Sequence, residues 1–562
     1  MPECALTRVR WMESHSVAHV VGSTLAHLGV DTVFGLAGSG NFVVTNALVA
    51  GGARFVSARH EGGAVAMADG WARTTGRVGV ASVHQGPGLT NTLTALAEAA
   101  KAHTPLVLVA GDTPPAALHS NFRIDQHDLV RAVGAAPELV SSPATAAVDA
   151  ARALRRAQLE RRPVVLMMPI DTAAAAAAPE ATPITPEPLP ASPAPAAHAV
   201  ARAADVLAAA QRPLIIAGRG AVLADAGRPI DALGERTGAL LATSAMANGL
   251  FAELPYALGI AGGFASPLAA RLLAQSDVIL SLGAGLNHWT TRHGALLAGG
   301  GRLIQVDVNA AAIGVHQPAE VAIVADAAAA ATALLAELDA RGHRSTGRRT
   351  PEVCAAIAAG RWRAEPYDDN PPPDTIDPRT LAIALNDLLP RDRAIAVDSG
   401  AFTGWPAMYL DVADPHAWLF CNAFQSVGLG FGAALGAAVA RPDRVTVAAL
   451  GDGGMFLSLP ELDTAARLGL PVLVVVWNDA AYGAEVHHFA PMGQDVTIAR
   501  FPDPDLAAIA RGAGVAAHTI RGAADLAPVA TWAADPSGPL LLDAKVDPTV
   551  AGDWLAEAFR GG

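Results

Sequence analysis

The chain has 562 residues, of which 52% are hydrophobic and only 16% are charged. This balance excludes intrinsic disorder, and at roughly 150 residues per domain the length predicts three or four domains. The formal net charge of −13 argues against a general nucleic-acid binder, because such proteins carry clustered positive charge. Lysine occurs only at Lys101 and Lys545, which leaves pyridoxal-phosphate chemistry, with its lysine Schiff base, almost without a candidate.

Neither the cysteines nor the apolar segments indicate export or a membrane. Cys4, Cys354 and Cys421 lie far apart without a CxxC pair, which suits a reducing cytoplasm. The first 16 residues contain no apolar signal-peptide core. The apolar run 470–477 (LPVLVVVW) is too short to span a bilayer and predicts a buried parallel strand. We therefore expect a cytoplasmic protein with neither a membrane nor a nucleic-acid partner.

Two proline-rich stretches, 179–195 and 342–378, favour extended linkers and divide the chain into three blocks. We predict domains at 1–178, 196–340 and 378–562. Each block alternates short β-branched runs with Ala/Leu-rich helical stretches, which predicts an α/β fold with three doubly wound parallel sheets. The clearest predicted strands are, in chain order, 77–83 (RVGVASV), 213–217 (PLIIA), 278–282 (VILSL), 303–308 (LIQVDV) and 444–450 (RVTVAAL).

The first and last blocks share a weak repeat. Residues 77–86 (RVGVASVHQG) and 444–453 (RVTVAALGDG) each follow an Ala/Gly-rich stretch and end in a glycine-containing turn. In open α/β sheets, ligands bind at the carboxyl ends of strands. The repeat therefore predicts two related domains that each present a strand end to a ligand. Chance similarity between two Val/Ala-rich strands is the alternative.

The strongest chemical signal lies in the last block. Gly451, Asp452 and Gly453 follow a predicted strand, and after 24 further residues Asn478 and Asp479 follow the LPVLVVVW strand. Glycines let the backbone approach a phosphate closely, and two carboxylates suit the hard oxygen ligands that Mg²⁺ prefers. A GDG turn by itself is a weak motif, whereas the strand before it and the Asn-Asp pair after it make the pattern specific.

This pattern resembles the signature of thiamine-diphosphate-dependent enzymes. The segment 478–483 (NDAAYG) is similar to the NNGTYG-type turn of acetolactate synthases, benzoylformate decarboxylases and pyruvate decarboxylases. The resemblance implies thiamine diphosphate as cofactor and Mg²⁺ bound by Asp452, Asp479 and the backbone carbonyl of Ala481. The family usually has asparagine where this chain has Asp479, so the chain adds a negative charge to the site.

A second match lies near the N-terminus. Arg59, His60 and Glu61, followed by AVAMADGWAR and GVASVHQGPGLTN, resemble the RHE block of the same enzymes. The resemblance implies that Glu61 is catalytic and hydrogen-bonds N1′ of the cofactor's aminopyrimidine. His84, 23 residues after Glu61, stands where benzoylformate decarboxylases have an active-site histidine. The alternatives are that Glu61 is a solvated helix-start residue and that His84 only caps a strand end.

Further positions follow from the resemblance in the last block. Glu485 stands where pyruvate decarboxylases have a functional glutamate, although a solvated helix face is an equal alternative. His487 and His488 are adjacent, so a helix would turn at most one of them toward the site. Val427 stands where the family wedges the cofactor with a larger apolar residue. The expected cofactor-binding positions are Ser399, Gly400, Val427, Gly451, Gly453, Gly454 and Tyr482.

The middle block differs from that of acetolactate synthases. Residues 283–289 (GAGLNHW) replace their GARFDDR-like flavin segment, which predicts no tightly bound FAD. The segment is closer to oxalyl-CoA decarboxylase and 2-hydroxyacyl-CoA lyase, and His288 within it is also compatible with an ordinary core or surface position.

The resemblance covers nearly the whole chain. It implies decarboxylation of a 2-oxo acid, with release of an aldehyde or carboligation, in a homodimer at least and commonly a homotetramer. An acyl-CoA lyase is one alternative. A nucleotide-binding oxidoreductase is another, but the turns GLAGSG and AGRGAV do not complete the GxGxxG pattern that it needs.

Overall fold

The computed structural model describes residues 16–178, 184–185, 187–297 and 299–560. The expectations for the N-terminal segment and Cys4 lie outside these residues, as does part of the first predicted linker. None of the helices in the described part of the chain is long and apolar enough to cross a membrane. The chain separates into two compact units, the first with residues 1–72 and 77–189 and the second with 73–76 and 190–562.

Three six-stranded sheets carry the fold, and every strand pair in them is parallel. The first sheet contains β1 Thr32–Gly35, β2 Arg54–Ser57, β3 Gly79–Val83, β4 Leu106–Asp112, β5 Ala136–Leu139 and β6 Pro163–Pro169. The second contains β7 Pro213–Ala217, β8 Leu240–Thr243, β9 Ala257–Ile260, β10 Val278–Leu282, β11 Arg302–Asp307 and β12 Val321–Val324. The third contains β13 Arg393–Val397, β14 Trp418–Phe420, β15 Val445–Gly451, β16 Val472–Asn478, β17 Ala516–Ile520 and β18 Leu540–Lys545.

Helices alternate with these strands. Those of the first block are α1 Val17–His27, α2 Phe42–Ala50, α3 Glu61–Thr75, α4 Pro87–Thr90, α5 Leu93–Lys101, α6 Gln126–Ala132, α7 Ala146–Glu160 and α8 Ile170–Ala174. The middle block and second linker contain α9 Ala197–Ala208, α10 Arg219–Leu223, α11 Gly227–Thr237, α12 Pro267–Ala274, α13 His288–Thr291, α14 Ala327–Ala340 and α15 Pro351–Ala359. The last block contains α16 Pro378–Leu388, α17 Gly404–Tyr409, α18 Gly430–Ala440, α19 Asp452–Ser458, α20 Glu461–Leu468, α21 Gly483–Phe489, α22 Leu506–Gly512, α23 Ala527–Ala534 and α24 Asp553–Phe559.

The strand orders identify related sheets. The first sheet runs β2-β1-β3-β4-β6-β5 and the third runs β14-β13-β15-β16-β18-β17, so the two share one topology. The repeated segments of the sequence form β3 and β15, the third strands of these two sheets. The middle sheet runs β12-β11-β10-β7-β8-β9, the order of dinucleotide-binding folds. The expected fold class, α/β with three doubly wound parallel sheets, is confirmed.

Buried apolar strands explain why these sheets form where the sequence predicts them. All seven residues of β16 are buried, as expected for the LPVLVVVW run. In β7, Leu214 and Ile216 belong to one core cluster and Ile215 and Ala217 to another, because alternate side chains point to opposite faces of the sheet. Each fully buried Leu or Ile contributes ~1.5–3 kcal/mol of folding free energy.

The second predicted linker contains an α-helix, α15, and a short 3-10 helix at Trp362–Ala364, which the proline content did not lead us to expect. Helix α15 begins after Thr350, whose hydroxyl accepts a hydrogen bond from the Val353 N–H, and Pro351 occupies its first turn. Proline is tolerated there because the first N–H groups of a helix have no intrahelical partner. The described residues of the first linker, 184–185 and 187–195, have no regular secondary structure.

Candidate cofactor and metal site

The carboxyl edge of the third sheet gathers three acidic residues, of which Asp398 and Asp452 are buried and Asp479 is half-buried. Strands β13, β15 and β16 are neighbours in the sheet. Asp398 follows β13, Asp452 follows β15 and Asp479 follows β16. Because parallel strands end at the same edge, the topology brings together residues that are up to 81 positions apart in the sequence.

Asp398 is fully buried and holds the turn before helix α18. Its Oδ2 accepts the Gly428 N–H at 2.8 Å, and its Oδ1 accepts the N–H groups of Leu429 and Gly430, both at 3.1 Å. Burial raises the pKa of Asp398 to about 6, against the effect of these hydrogen bonds. The carboxylate therefore fixes the backbone beside Val427, whose side chain is 37% exposed.

Asp452 and Asp479 form a pair whose ionised forms are costly. Burial raises the pKa of Asp452 to about 6. Burial, followed by the charge of Asp452, raises the pKa of Asp479 to about 7. A cation bound between the two carboxylates would favour the ionised form of both. This is the electrostatic setting of a divalent metal site.

The turn after β16 presents a third oxygen. The Ala480 carbonyl accepts the Phe501 N–H at 2.8 Å, and the Tyr482 N–H donates to the Ala499 carbonyl at 2.8 Å. Among the described residues, no hydrogen bond reaches the Ala481 carbonyl between them. Two carboxylates and one free backbone carbonyl are a donor set that Mg²⁺ accepts, with waters or phosphate oxygens completing the octahedron. The residues present therefore fit the implied ion.

Glycines keep the space around this pair open. A Cβ on Gly454 would clash with Oδ2 of Asp398 and lie 3.3 Å from Cγ1 of Val427. A Cβ on Gly453 would lie 2.9 Å from the ring of Tyr482, which is half exposed and packs edge-on against Phe501. Helix α19 begins directly after Gly451, and Gly453 and Gly454 lie in its first turn. Such a backbone surface without side chains suits a diphosphate.

Ser399 and Gly400 follow Asp398 in the loop after β13. Both are half-buried, and the hydroxyl of Thr403 donates to the Gly400 carbonyl at 2.7 Å. The Ser399 N–H also donates to the carboxylate of Asp398. The expected cofactor-binding positions in this unit therefore surround Asp398 and the carboxylate pair.

Helix α21 separates its polar side chains onto different sides. Glu485 is exposed. His488 stacks on Phe559 of α24 with ring centroids 4.0 Å apart. Burial and the charge of Arg500 lower the pKa of His487, and the same arginine acts on Asp479. His487 and Asp479 thus both lie within electrostatic range of Arg500. His288 belongs to the middle block, where it stacks on His293 at 5.5 Å.

In the first unit, Glu61 is the first residue of α3. Its Oε2 accepts a hydrogen bond from the side-chain amide of Asn91 at 2.9 Å. Asn91 belongs to the GPGLTN segment, which returns to Glu61 after strand β3. A carboxylate held by an amide from another segment is positioned, in contrast to a freely solvated helix-start residue.

His84 follows β3 and lies within electrostatic range of Glu61. Its Nδ1 accepts the Gly40 N–H at 2.9 Å, so in the neutral ring the proton is on Nε2. The ring packs edge-on against Phe122 at 5.0 Å. Burial lowers the pKa of His84, although the charge of Glu61 opposes this shift. His84 is therefore neutral near pH 7 and available as a hydrogen-bond donor through Nε2.

Sequence reasoning missed three residues at these sites. The motifs indicate Ser399 and Gly400 but not Asp398 directly before them, and they contain Asn91 without assigning it a role. Lys545, buried beside Asn478 in the sheet, was noted only for the scarcity of lysine. A lysine at the end of a buried strand was the signal that could have identified it, because buried lysine is rare unless it is paired.

Matches to known proteins agree with this geometry. Three family models, described as the N-terminal TPP-binding, central and C-terminal TPP-binding domains of thiamine pyrophosphate enzymes, match residues 15–132, 200–334 and 398–544. The chain is 32% identical over 476 residues to a probable 2-ketoarginine decarboxylase from Pseudomonas aeruginosa, covering 82% of this chain and 81% of that protein. The chain belongs to the thiamine pyrophosphate-dependent enzymes.

Two further relatives show how varied the names within this similarity are. A sulfoacetaldehyde acetyltransferase from Castellaniella defragrans is 30% identical over 486 residues, covering 82% of this chain and 81% of the relative. An acetolactate synthase large subunit from Parasynechococcus marenigrum is 29% identical over 475 residues, covering 83% and 76%. The family resemblance expected from the motifs is confirmed, and this thiamine pyrophosphate enzyme has both decarboxylases and acyl-transferring enzymes among its relatives.

Proposed function

We propose that this enzyme decarboxylates a 2-oxo acid with thiamine diphosphate and Mg²⁺, and that it then releases an aldehyde or joins the product to a second carbonyl compound. The observation that carries the metal part is the pair of buried Asp452 and half-buried Asp479, together with the Ala481 carbonyl, which no hydrogen bond reaches among the described residues. The names of the relatives, a 2-ketoarginine decarboxylase and an acetolactate synthase among them, support the 2-oxo acid.

Within this proposal each of the three blocks forms a domain with its own role. Residues 1–178 bind the pyrimidine, 378–562 bind the diphosphate, and 196–340 form the central domain. The family-model matches at 15–132, 398–544 and 200–334 fall inside these bounds and support them. We further propose a homodimer as the smallest active unit and a homotetramer as the assembled form.

In this proposal, residues of the first unit hold a proton at the cofactor and orient the substrate. When bound, thiamine diphosphate supplies the nucleophilic carbon and the electron sink for decarboxylation. Glu61, held by Asn91, holds a proton at N1′ of the aminopyrimidine. His84, with its tautomer fixed by Gly40, donates a hydrogen bond from Nε2 to a substrate oxygen. Because this donor is neutral, it orients a 2-oxo acid without adding a charge that would oppose the loss of CO₂.

The residues of the second unit hold the cofactor. Asp452, Asp479 and the Ala481 carbonyl bind the metal, and Gly453 and Gly454 admit the diphosphate. Val427 supports the cofactor from the turn that Asp398 fixes, and Ser399, Gly400, Gly451 and Tyr482 line the site. Glu485 is proposed to contact the substrate from helix α21.

CO₂ release tests the proposal directly. Wild-type enzyme is incubated with pyruvate, benzoylformate, 2-ketoarginine and an acyl-CoA panel, with and without thiamine diphosphate and Mg²⁺. Release from a 2-oxo acid that requires both additions is the expected result, and Glu61→Gln should lower it by roughly 10²–10⁴-fold. Glu187→Gln, an exposed change in the same unit, is the matched control.

The outcomes separate the candidates. CO₂ from an acyl-CoA substrate alone would favour the oxalyl-CoA decarboxylase-like alternative. If wild type binds thiamine diphosphate yet releases CO₂ from none of these compounds, the proposed reaction is wrong.

A further inference from the structure

Lys545, one of the two lysines in the chain, is buried at the carboxyl end of β18. Its Nζ lies 3.0 Å from Oδ2 of Asp543 and 2.5 Å from Oδ1 of Asp503, and donates to the Pro504 carbonyl at 2.6 Å. The ammonium thus has two hydrogen-bond acceptors, Asp503 and the Pro504 carbonyl, and an ion-pair partner in Asp543. The planar fork of an arginine does not match three oxygen atoms around one nitrogen, which gives a reason for lysine in an arginine-rich chain.

One set of contacts connects Lys545 to the proposed metal-binding turn, residues 478–482, through side chains within the sheet. Asp543 is fully buried, and its Oδ1 accepts the side-chain amide of Asn478 at 2.7 Å. The other end of that amide, Oδ1 of Asn478, accepts the Ala480 N–H at 3.1 Å. Lys545 neutralises Asp543, and Asp543 in turn orients the residue that begins the 478–482 turn.

A second set of contacts connects Lys545 to the same turn through the segment 499–504, which follows helix α21 and the loop after it. Asp503 and Pro504 follow residues 499–501, which pair with the turn through the Tyr482 N–H to Ala499 carbonyl and Phe501 N–H to Ala480 carbonyl hydrogen bonds. Lys545 ties this flanking segment to the sheet. The 478–482 turn is thus enclosed between two segments that meet at a single ammonium group.

We propose that Lys545 is a positioning residue that clamps the 478–482 turn and that the enzyme needs this clamp for tight binding of its divalent metal. The inference rests on the metal site of the proposed function, since Asp479 and Ala481 belong to the clamped turn.

Mn²⁺ binding to the full-length protein, measured by electron paramagnetic resonance with thiamine diphosphate present, tests the clamp. Lys545→Met keeps the length of the side chain and removes the charge. It should weaken Mn²⁺ binding by about 10–100-fold, as losses of outer-shell partners do. Saturating Mg²⁺ should restore most of the kcat, because the residues that contact the substrate are unchanged. Lys101→Met, at the only other lysine, should bind Mn²⁺ like wild type.

A second variant covers the case in which Lys545→Met does not fold. Asp503→Asn removes the ion pair between Lys545 and a half-exposed carboxylate and leaves the Lys545–Asp543 pair in place. It should therefore also weaken Mn²⁺ binding, but by less than Lys545→Met. If the folded variants bind Mn²⁺ with wild-type affinity and differ only in melting temperature, Lys545 has a structural role alone and the clamp is wrong. If wild type binds no Mn²⁺, the proposed metal site fails, and the clamp with it.

Discussion

At the scale of single residues, the turn proposed to bind the metal differs from the family motif at two adjacent positions. Asp479 replaces the usual asparagine, and Ala480 stands where the NNGTYG-type turn has glycine. Asp479 has its pKa raised to about 7, and Ala480 has a φ of 53°, in the left-handed region that disfavours side chains. Both substitutions cost folding free energy, which makes this turn a place where stability and function can be separated.

Asp479→Asn should make the metal-free enzyme more stable at high pH. An acid whose pKa is raised by folding binds its proton more tightly in the folded state, so its contribution to stability is lost as pH rises from about 4 through about 7. Asparagine does not titrate, and the gain at pH 8 should be on the order of 2 kcal/mol, discounted for partial exposure. Melting temperatures of both proteins at pH 5 and pH 8 check this. If the melting temperatures of the two proteins depend on pH in the same way, the prediction is wrong.

The same variant should change how metal binding depends on pH. In the wild type, Mg²⁺ affinity should rise between pH 6 and pH 8 as Asp479 ionises. The variant, with its neutral amide ligand, should show a smaller rise. Isothermal titration at pH 6, 7 and 8 in the presence of thiamine diphosphate measures both slopes. Parallel slopes would mean that Asp479 is not a metal ligand.

Ala480→Gly should stabilise the protein by ~0.5–1 kcal/mol. Glycine removes the left-handed strain of a side chain, ~1–2 kcal/mol, but gives back part of it as unfolded-state entropy. Ala336→Gly is the matched control, since Ala336 is exposed within helix α14 and should lose ~1 kcal/mol there. Thermal unfolding should therefore shift in opposite directions for the two variants, and a shift of equal sign would contradict the strain.

At the scale of elements, strand ends and helix starts build the site together. β13, β15 and β16 end beside the starts of α18 and α19, and Asp398 joins the first strand to the turn before α18. Gly454 in α19 packs against that carboxylate and against Val427. The two helices therefore have a fixed spacing that a single added methyl group would disturb.

Gly454→Ala should damage cofactor binding far more than Gly453→Ala. The new Cβ at position 454 meets a carboxylate that three backbone N–H groups hold, so the turn itself must shift, at a cost of ~1–3 kcal/mol. The new Cβ at position 453 meets the ring of Tyr482, which is half exposed and free to rotate away. Thiamine diphosphate titrations followed by tryptophan fluorescence compare the two, and equal affinities would exclude the proposed packing constraint.

At the scale of the whole molecule, two sheets of one topology carry the two halves of the proposed chemistry. Glu61 and His84 follow elements of the first sheet, whereas Asp452 and Asp479 follow elements of the third. The resemblance to the family implies that each cofactor lies between the pyrimidine domain of one subunit and the diphosphate domain of another, and we propose the same here. The homodimer proposed here would then contain two such sites.

Mixing two inactive variants tests this arrangement. Glu61→Gln and Asp452→Asn are each expected to be inactive, but a heterodimer of the two would regain one site without either substitution. With random pairing of subunits, about a quarter of wild-type activity should return on co-expression. If both halves of the site come from one chain, every site carries a substitution and no activity returns. Co-expression of two differently tagged copies of Glu61→Gln is the control.

Much of the fold and of the candidate site could be predicted from local patterns. The segments PLIIA and VILSL form β7 and β10 with the predicted bounds, because buried parallel strands are continuous apolar runs. The GDG turn and the Asn-Asp pair identified the carboxylates, since both follow such runs at a fixed spacing. Strand order, by contrast, had no local signature beyond the weak repeat of β3 and β15.

By itself, the sequence determined the α/β class, the family and the residue types at the site, because these depend on composition, periodicity and short motifs. Only the tertiary structure decided which distant residues support them. Asn91 with Glu61, Gly40 with His84, and Lys545 with Asp543 are joined by hydrogen bonds or ion pairs across segments. Such pairs depend on distances and angles between separate elements, which packing of the sheets sets and no local pattern encodes.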